Sequence, residues 1–222
     1  DLMRSDAGGD ALSFEGQALM GGAPGGGAGR VIVTGNAAID VTADGATPVP
    51  GRITLAASDL NAMNAASISI GGWTSYFDGN TNQSDSPRVY FTMGGAGTVH
   101  VGEGAALKAG QIFLIGNDLS VDTSAVLDTR GFADPAADSS LGYLYANFLA
   151  PTASGPAVLA VANGFLDFLP AQGTGRIRVA DGASLLTTGT VAFLAPGDLS
   201  LGNVNLGARF VTVAQHQINI GN

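Results

Sequence analysis

The 222-residue chain contains no cysteine, which excludes disulfide bonds, thiolate catalysis and cysteine-based zinc sites. Charge is also scarce, since only 12% of the residues are charged and the formal net charge is −9. The nine Lys and Arg residues form no cluster, so binding to a phosphate backbone lacks its electrostatic basis. Nucleic acid is therefore not an expected partner.

Long hydrophobic runs are missing as well. The most apolar region, residues 141–170, is interrupted by Pro151, Pro156 and Asp167, so it does not predict a membrane span. Residues 1–4 lack the apolar core of a signal peptide. The chain ends in the middle of an alternating pattern at residues 218–222, and we expect it to be an interior or processed piece of a larger protein.

What the chain has in abundance is glycine, 34 residues of it, and a repeat. Residues 51–72 align without a gap to residues 110–131, matching Asp59 to Asp118, and a third copy begins at Gly189 with Asp198 in the same place. Within these blocks, short alternating segments recur at roughly 20 residues, a spacing typical of β-solenoid coils. Each segment alternates apolar with small or polar residues, which predicts strands with one buried face.

A second alignment sets the organisation of the chain. Residues 29–41 resemble residues 97–109 and 175–187, so three modules begin near Gly29, Gly97 and Gly175. Two inserts, residues 73–96 and 132–174, break the repeat, and residues 1–28 form a separate glycine-rich segment or a first coil. The sequence thus predicts an all-β right-handed parallel β-helix over residues 29–222 that carries two non-repeating inserts.

The coil pattern, together with AVLDTRG at residues 125–131 and GRIRVADGASL at 175–185, resembles the filamentous haemagglutinin family. These are large exoproteins of two-partner secretion systems in Gram-negative bacteria. The resemblance implies a β-helical shaft, export by an outer-membrane two-partner transporter, and a location that is secreted or on the cell surface. Roles in that family are adhesion, biofilm formation and delivery of a terminal toxin. The secretion-domain motif of the family is not evident, so the resemblance concerns the shaft.

The best candidate for ligand binding lies in the first insert. Trp73, Tyr76 and Phe77 precede a polar run that contains Asn80 and Asn82. Aromatic faces can stack on sugar rings while amides bond hydroxyl groups, so these five residues are a candidate glycan site. The alternative is that the aromatic residues pack inward and the polar run is a solvated loop.

The other residues considered as metal ligands or catalytic groups are better explained as parts of turns and strands. Asp59, Asp118 and Asp198 read as turn residues before a Leu rather than as a calcium or glycosidase set. His100 and His216 lack the partners of a metal site or triad, and neither a G-x-S-x-G nor an H-E-x-x-H motif occurs. We therefore predict no catalytic residues, no metal and no cofactor.

The leading functional interpretation is a structural and adhesive segment of an exoprotein, displaying its inserts to a cell-surface receptor or glycan. One alternative is a subunit that associates end to end into an extracellular filament through open strand edges. Another is a polysaccharide lyase or glycoside hydrolase, which requires carboxylates about 5–10 Å apart across a groove. The basic residues of this chain are dispersed in the sequence, which makes an enzyme the weaker interpretation.

Overall fold

A computed structural model describes residues 2–3, 29–77, 88–93, 97–132, 144–148, 156–164, 166–168 and 173–215. These residues form strands and one short helix. In chain order the elements are β1 (Leu2–Met3), β2 (Arg30–Thr34), β3 (Ala38–Thr42), β4 (Arg52–Ala56), α1 (Ala57–Ala62), β5 (Ser67–Ile70), β6 (Gly72–Phe77), β7 (Arg88–Met93), β8 (Thr98–Val101), β9 (Ala106–Lys108), β10 (Gln111–Gly116), β11 (Asp118–Val121), β12 (Val126–Asp128), β13 (Leu144–Phe148), β14 (Ala157–Ala162), β15 (Leu166–Phe168), β16 (Arg176–Val179), β17 (Ser184–Leu186), β18 (Thr190–Ala195), β19 (Leu199–Leu201), β20 (Asn205–Gly207) and β21 (Phe210–Gln215).

The strands form four sheets. A seven-stranded sheet has the order β1-β2-β5-β10-β14-β18-β21, and a six-stranded sheet has the order β19-β16-β11-β8-β3-β4. Two four-stranded sheets have the orders β20-β17-β12-β9 and β15-β13-β7-β6. Apolar side chains of the first three sheets share one buried core.

The 20-residue pattern places matching strands beside one another. In the six-stranded sheet, Val99, Leu119, Ile177 and Leu199 are parallel partners on adjacent strands. Of these side chains, the first three are buried and Leu199 is half-buried. Alternation therefore gave the correct inward-facing positions, because a period of two defines which face of a strand is apolar.

The prediction of a right-handed parallel β-helix is wrong. The chain is mostly β, but its sheets are mostly parallel rather than uniformly so, and they form neither a closed nor a solenoid structure. Strand β14 runs antiparallel to both of its neighbours, β10 and β18, and β6 runs antiparallel to β7. Alternation specifies a buried face but neither the direction of a strand nor the winding of the chain, so the pattern alone did not justify the finer prediction.

The first copy of the repeat is out of phase with the others. Residues 110–131 contribute β10, β11 and β12, and the copy at Gly189 contributes the corresponding β18, β19 and β20. Residues 51–72 instead contribute β4, helix α1 and β5. Helix α1 and its C-terminal turn bury Ala57, Leu60 and Met63, a spacing of three residues that suits a helix face rather than a strand.

The two inserts meet in the last four-stranded sheet. Strands β6 and β7 come from the first insert, and β7 pairs in parallel with β13 of the second. The second insert also supplies β14, the strand of the seven-stranded sheet that bridges β10 and β18. This segment therefore completes the core that the repeats build, although its own sequence does not repeat.

Helix α1 covers one free sheet edge. The amide of Asn61 donates from Nδ2 to the carbonyl oxygen of Ala106 at 2.7 Å, and its Oδ1 accepts from the backbone nitrogen of Lys108 at 2.7 Å. One side chain thus makes the pair of hydrogen bonds that a neighbouring strand would make to β9. An unpaired edge attracts other strands, and this contact closes it.

Candidate functional site

The outer face of the six-stranded sheet carries the polar side chains of the repeats. Asp40, His100, Ser120, Arg178 and Ser200 are successive partners across β3, β8, β11, β16 and β19. Because side chains alternate along each strand, the apolar partners of these residues point into the core. The repeats therefore build a continuous polar surface on one side of the molecule.

Four ionisable side chains contact one another in a row on the β3–β4 side of this surface. We call this row, formed by Arg52, Asp40, His100 and Asp122, the charged chain. Arg52 donates to both carboxylate oxygens of Asp40 from Nε and Nη2, the second at 2.6 Å. The hydrogen bond to Asp40 raises the pKa of Arg52 above its ordinary value. His100 faces Asp40 through Nδ1 at 3.3 Å and Asp122 through Nε2 at 2.8 Å. The Asp40 side chain is nearly buried, so these partners satisfy a carboxylate that water scarcely reaches.

This charged chain does not form a hydrolytic triad. A triad needs a nucleophile hydrogen-bonded to the histidine, and here both ring nitrogens of His100 contact carboxylates. A neutral imidazole donates one of these two bonds, whereas the imidazolium donates both. The arrangement ties three strands together on the outer face and leaves His100 without a catalytic geometry.

An open groove of about 600 Å³ lies where β8, β11, β16 and β19 begin. Its polar side chains come from four successive levels of the sheet. The lining residues are Gly97, Thr98, Asn117, Asp118, Gly173, Thr174, Arg176, Gly197 and Asp198. With adjacent strands about 4.8 Å apart, four levels give a groove about 14 Å long.

Part of the backbone that lines the groove is hydrogen-bonded within the sheet. Asn117 and Asp118 donate from their backbone nitrogens to the carbonyl oxygen of Gly97, and Arg176 donates to that of Asn117 at 2.8 Å. Gly197 packs so closely that a Cβ at this position would lie 2.7 Å from the carbonyl oxygen of Thr174. Several backbone N–H groups of the groove are therefore already occupied, and its side chains are the groups considered for a ligand.

The charged groups of the groove remain available to solvent. Arg176 contacts Asp118 at 3.6 Å between Nη2 and Oδ2, and both side chains are more than half exposed. Arg176 is on β16, which lies between β11 and β19. Asp118 is the first residue of β11, and Asp198 directly precedes β19. Carboxylates accept hydrogen bonds, guanidinium donates them, and Asn and Thr do both, so the set suits a ligand rich in hydroxyl groups.

Three of the five residues predicted to bind a glycan lie elsewhere, on β6. Trp73 is the second residue of that strand, and its side chain is 37% exposed. Tyr76 and Phe77 lie further along β6, where they pair with Val89 and Arg88 of β7. Asn80 and Asn82 fall outside the described residues, as does His216.

The structure separates the three aligned aspartates. Asp59 lies in the first turn of α1, whereas Asp118 and Asp198 line the same groove. Sequence reasoning took all three for turn residues because modules are distant in sequence. One sequence feature could have brought two of the groove residues together. Asp118 and Arg176 each directly precede an alternating segment, so parallel pairing of the two segments makes them neighbours.

Among the residues that the structure describes, no group of three or more His, Cys, Asp or Glu side chains is placed to hold a metal ion. None of the helical segments seen there has the length and hydrophobicity required to cross a membrane. Comparison with protein-family models, with curated proteins and with solved structures gives no match.

Proposed function

We propose that the chain is a structural and adhesive segment that binds an extended, hydroxyl-rich ligand of the glycan class along the groove. The observation that carries the proposal is the convergence of Asp118, Arg176 and Asp198 at the start of neighbouring strands. The groove is open and about 14 Å long from the strand spacing, which favours a polymer over a small enclosed molecule.

The rest of the molecule supports a scaffold role. Its core is continuous through three sheets, and the charged chain through Asp40 and His100 braces the polar surface. Such a frame holds exposed side chains at fixed spacing, as a binding surface requires. In keeping with the resemblance to filamentous haemagglutinins, we place the segment in a secreted or surface-displayed bacterial exoprotein, with a cell-surface glycan or receptor as partner and a two-partner transporter for export.

The decisive experiment measures binding of the 222-residue protein to a polysaccharide array. We expect Arg176→Gln to reduce binding to the ligand found there at least tenfold, the loss of about 1.4 kcal/mol expected for a charge-assisted hydrogen bond. Arg178→Gln is the matched control, because Arg178 is also exposed on the outward side of β16 but does not line the groove. Equal loss in both variants would mean that general charge, not the groove, holds the ligand.

The same array tests the site on β6. Trp73 is exposed, so stacking of a sugar on its indole is a second candidate contact. If Trp73→Ala abolishes binding while Arg176→Gln does not, the ligand binds at β6 and the groove proposal fails. Release of new reducing ends from a bound polymer would instead assign the groove to an enzyme.

A further inference from the structure

The charged residues of the groove alternate in sign from one strand to the next. Asp118 of β11 is the register partner of Arg176 of β16. Asp198 lies in register with Arg176 on the other side, because the residues that follow them, Leu199 and Ile177, are partners. With strands about 4.8 Å apart, the two aspartates occupy positions about 10 Å apart with the arginine between them. The groove thus presents the order acceptor, donor, acceptor along its length.

These three charged side chains are accessible to a ligand. The Nη2 atom of Arg176 lies 3.6 Å from Oδ2 of Asp118, which is longer than a hydrogen bond, and both side chains are more than half exposed. Exposed ion pairs of this kind contribute little to stability, so a ligand can replace the contact at small cost. Asp198 is exposed as well. All three groups are therefore free to form hydrogen bonds with a bound molecule.

The alternation of acceptors and a donor distinguishes between classes of glycan. A carboxylate of the protein only accepts hydrogen bonds and a guanidinium only donates them, whereas a sugar hydroxyl group does both. The hydroxyl groups of an uncharged polysaccharide can therefore satisfy all three side chains. The carboxylate or sulfate groups of an acidic polysaccharide are further acceptors, and of these three side chains only Arg176 can bond them.

The charge of the groove also opposes an acidic ligand. Two aspartates and one arginine give its lining a formal charge of −1, in a chain whose net charge is −9. An anion that approaches Arg176 also approaches an aspartate on each side. Like charges brought together across an interface lower affinity and exclude the wrong partner. An ammonium group of an amine-bearing glycan is opposed in turn by the central arginine.

We infer that the ligand of the groove is an uncharged polysaccharide, and that Asp118 and Asp198 are specificity-determining residues that exclude acidic polysaccharides. The inference rests on the proposed function, because it specifies the ligand of the same groove. Arg176 donates a hydrogen bond to an oxygen of the sugar, and the two aspartates accept hydrogen bonds from its hydroxyl groups. Since the repulsion of acidic ligands acts at the two aspartates, removing their charge relaxes the selectivity.

The test compares binding of the 222-residue protein to uncharged, acidic and amine-bearing polysaccharides on one array. At low salt we expect acidic polysaccharides to bind roughly tenfold more weakly than uncharged ones, because like charges meet in the groove. The difference should shrink at about 1 M salt, where the screening length is about 3 Å. Equal or tighter binding of acidic or amine-bearing polysaccharides at low salt would overturn the inference.

The double variant Asp118→Asn, Asp198→Asn tests whether the two carboxylates cause the selectivity. Asparagine keeps an oxygen acceptor at each position but removes the charge. We expect the ratio of the affinity for acidic to that for uncharged polysaccharides to rise roughly tenfold. The matched control is Asp44→Asn, Glu103→Gln, which removes the same charge from exposed turns that follow β3 and β8. An equal rise in the control would assign the selectivity to net charge and contradict the inference.

Failure of the inference can be separated from failure of the proposed function. If Arg176→Gln weakens binding but the double aspartate variant leaves the affinity ratio unchanged, the groove binds glycan and the two carboxylates do not select it. If the wild-type protein binds no polysaccharide, or Arg176→Gln leaves binding intact, the proposed function fails and the inference fails with it.

Discussion

The turns within the repeats and the junctions between the repeats and the inserts differ in the contacts that stabilise them. The turns between β8 and β9, and between β16 and β17, are open to solvent, and Gly104 and Gly182 adopt positive φ there. Where the first insert leaves the repeats and where the second rejoins them, Gly71 and Gly175 are buried and pack against the backbone of Ile115 and Ala157. The open turns depend on local sequence, whereas the insert junctions depend on chain segments far away.

The largest predicted effect is a difference in stability between alanine substitutions at a junction glycine, Gly71, and at a turn glycine, Gly45. Gly71 and Gly45 both have positive φ, but an added Cβ at Gly71 would overlap the carbonyl group of Ile115, and at Gly45 it would meet nothing within 4 Å. We expect Gly45→Ala to lower the free energy of unfolding by about 1–2 kcal/mol from backbone conformation alone. Gly71→Ala should lower it by about 3–5 kcal/mol, because overpacking adds to the same cost.

Urea denaturation of both variants measures this difference. Comparable losses would show that the packing at the first insert junction relaxes readily, and the contrast between the two kinds of connection would disappear.

A buried amide holds the second insert junction. Asn163 donates from Nδ2 to the carbonyl oxygens of Thr129 and Phe132, at 2.6 and 3.0 Å, and its Oδ1 accepts from the hydroxyl groups of Thr129 and Thr188 at 2.9 Å. Asn163→Ala leaves several buried groups unpaired, and we expect a loss of about 3 kcal/mol.

The matched control for this change is Asn203→Ala, in an exposed turn, which should alter stability by less than about 0.5 kcal/mol. Chemical denaturation of both proteins checks the prediction. If the two alanine variants are equally stable, the amide network does not anchor the junction.

The smallest effect concerns the solvent side of the same junction. Hydrogen bonding by Arg130 holds the pKa of Asp128 below its ordinary value. A lowered folded-state pKa gives stability that is present above the unfolded pKa of Asp and is lost as the pH falls through the folded value. Arg130→Gln should therefore slightly lower stability at neutral pH, and the difference from wild type should vanish in acid.

Unfolding measured against pH tests this sign, with Arg178→Gln as a control that removes an exposed arginine elsewhere. A difference that persists or grows in acid would mean that Arg130 acts through something other than the Asp128 carboxylate.

Much of the repeat could be predicted from sequence, and the reason is geometric. Alternation at residues 98–101, 119–121 and 177–179 fixed which side chains are buried, because a strand has only two faces. The same alternation is compatible with any sheet and either strand direction. It therefore could not reveal that β14 is antiparallel, that the first copy is out of phase, or that the inserts share a sheet.

The candidate groove was harder to find for a related reason. Asp118, Arg176 and Asp198 are distant in sequence and become neighbours only once the strand register is known. The aromatic cluster at Trp73 could be recognised from the sequence because its residues lie close together along the chain. Its role in binding remains a prediction.

The reversed strand β14 has a consequence for the path of folding. Strands β8 and β11 are separated in the chain by β9 and β10, whereas β10 and β14 are separated by β11, β12 and β13 and by a longer stretch of chain. Closing a longer loop costs more entropy, and contacts between distant residues slow folding. We therefore expect the early repeats to assemble first and the docking of β14 to be the late event that joins the two halves of the seven-stranded sheet.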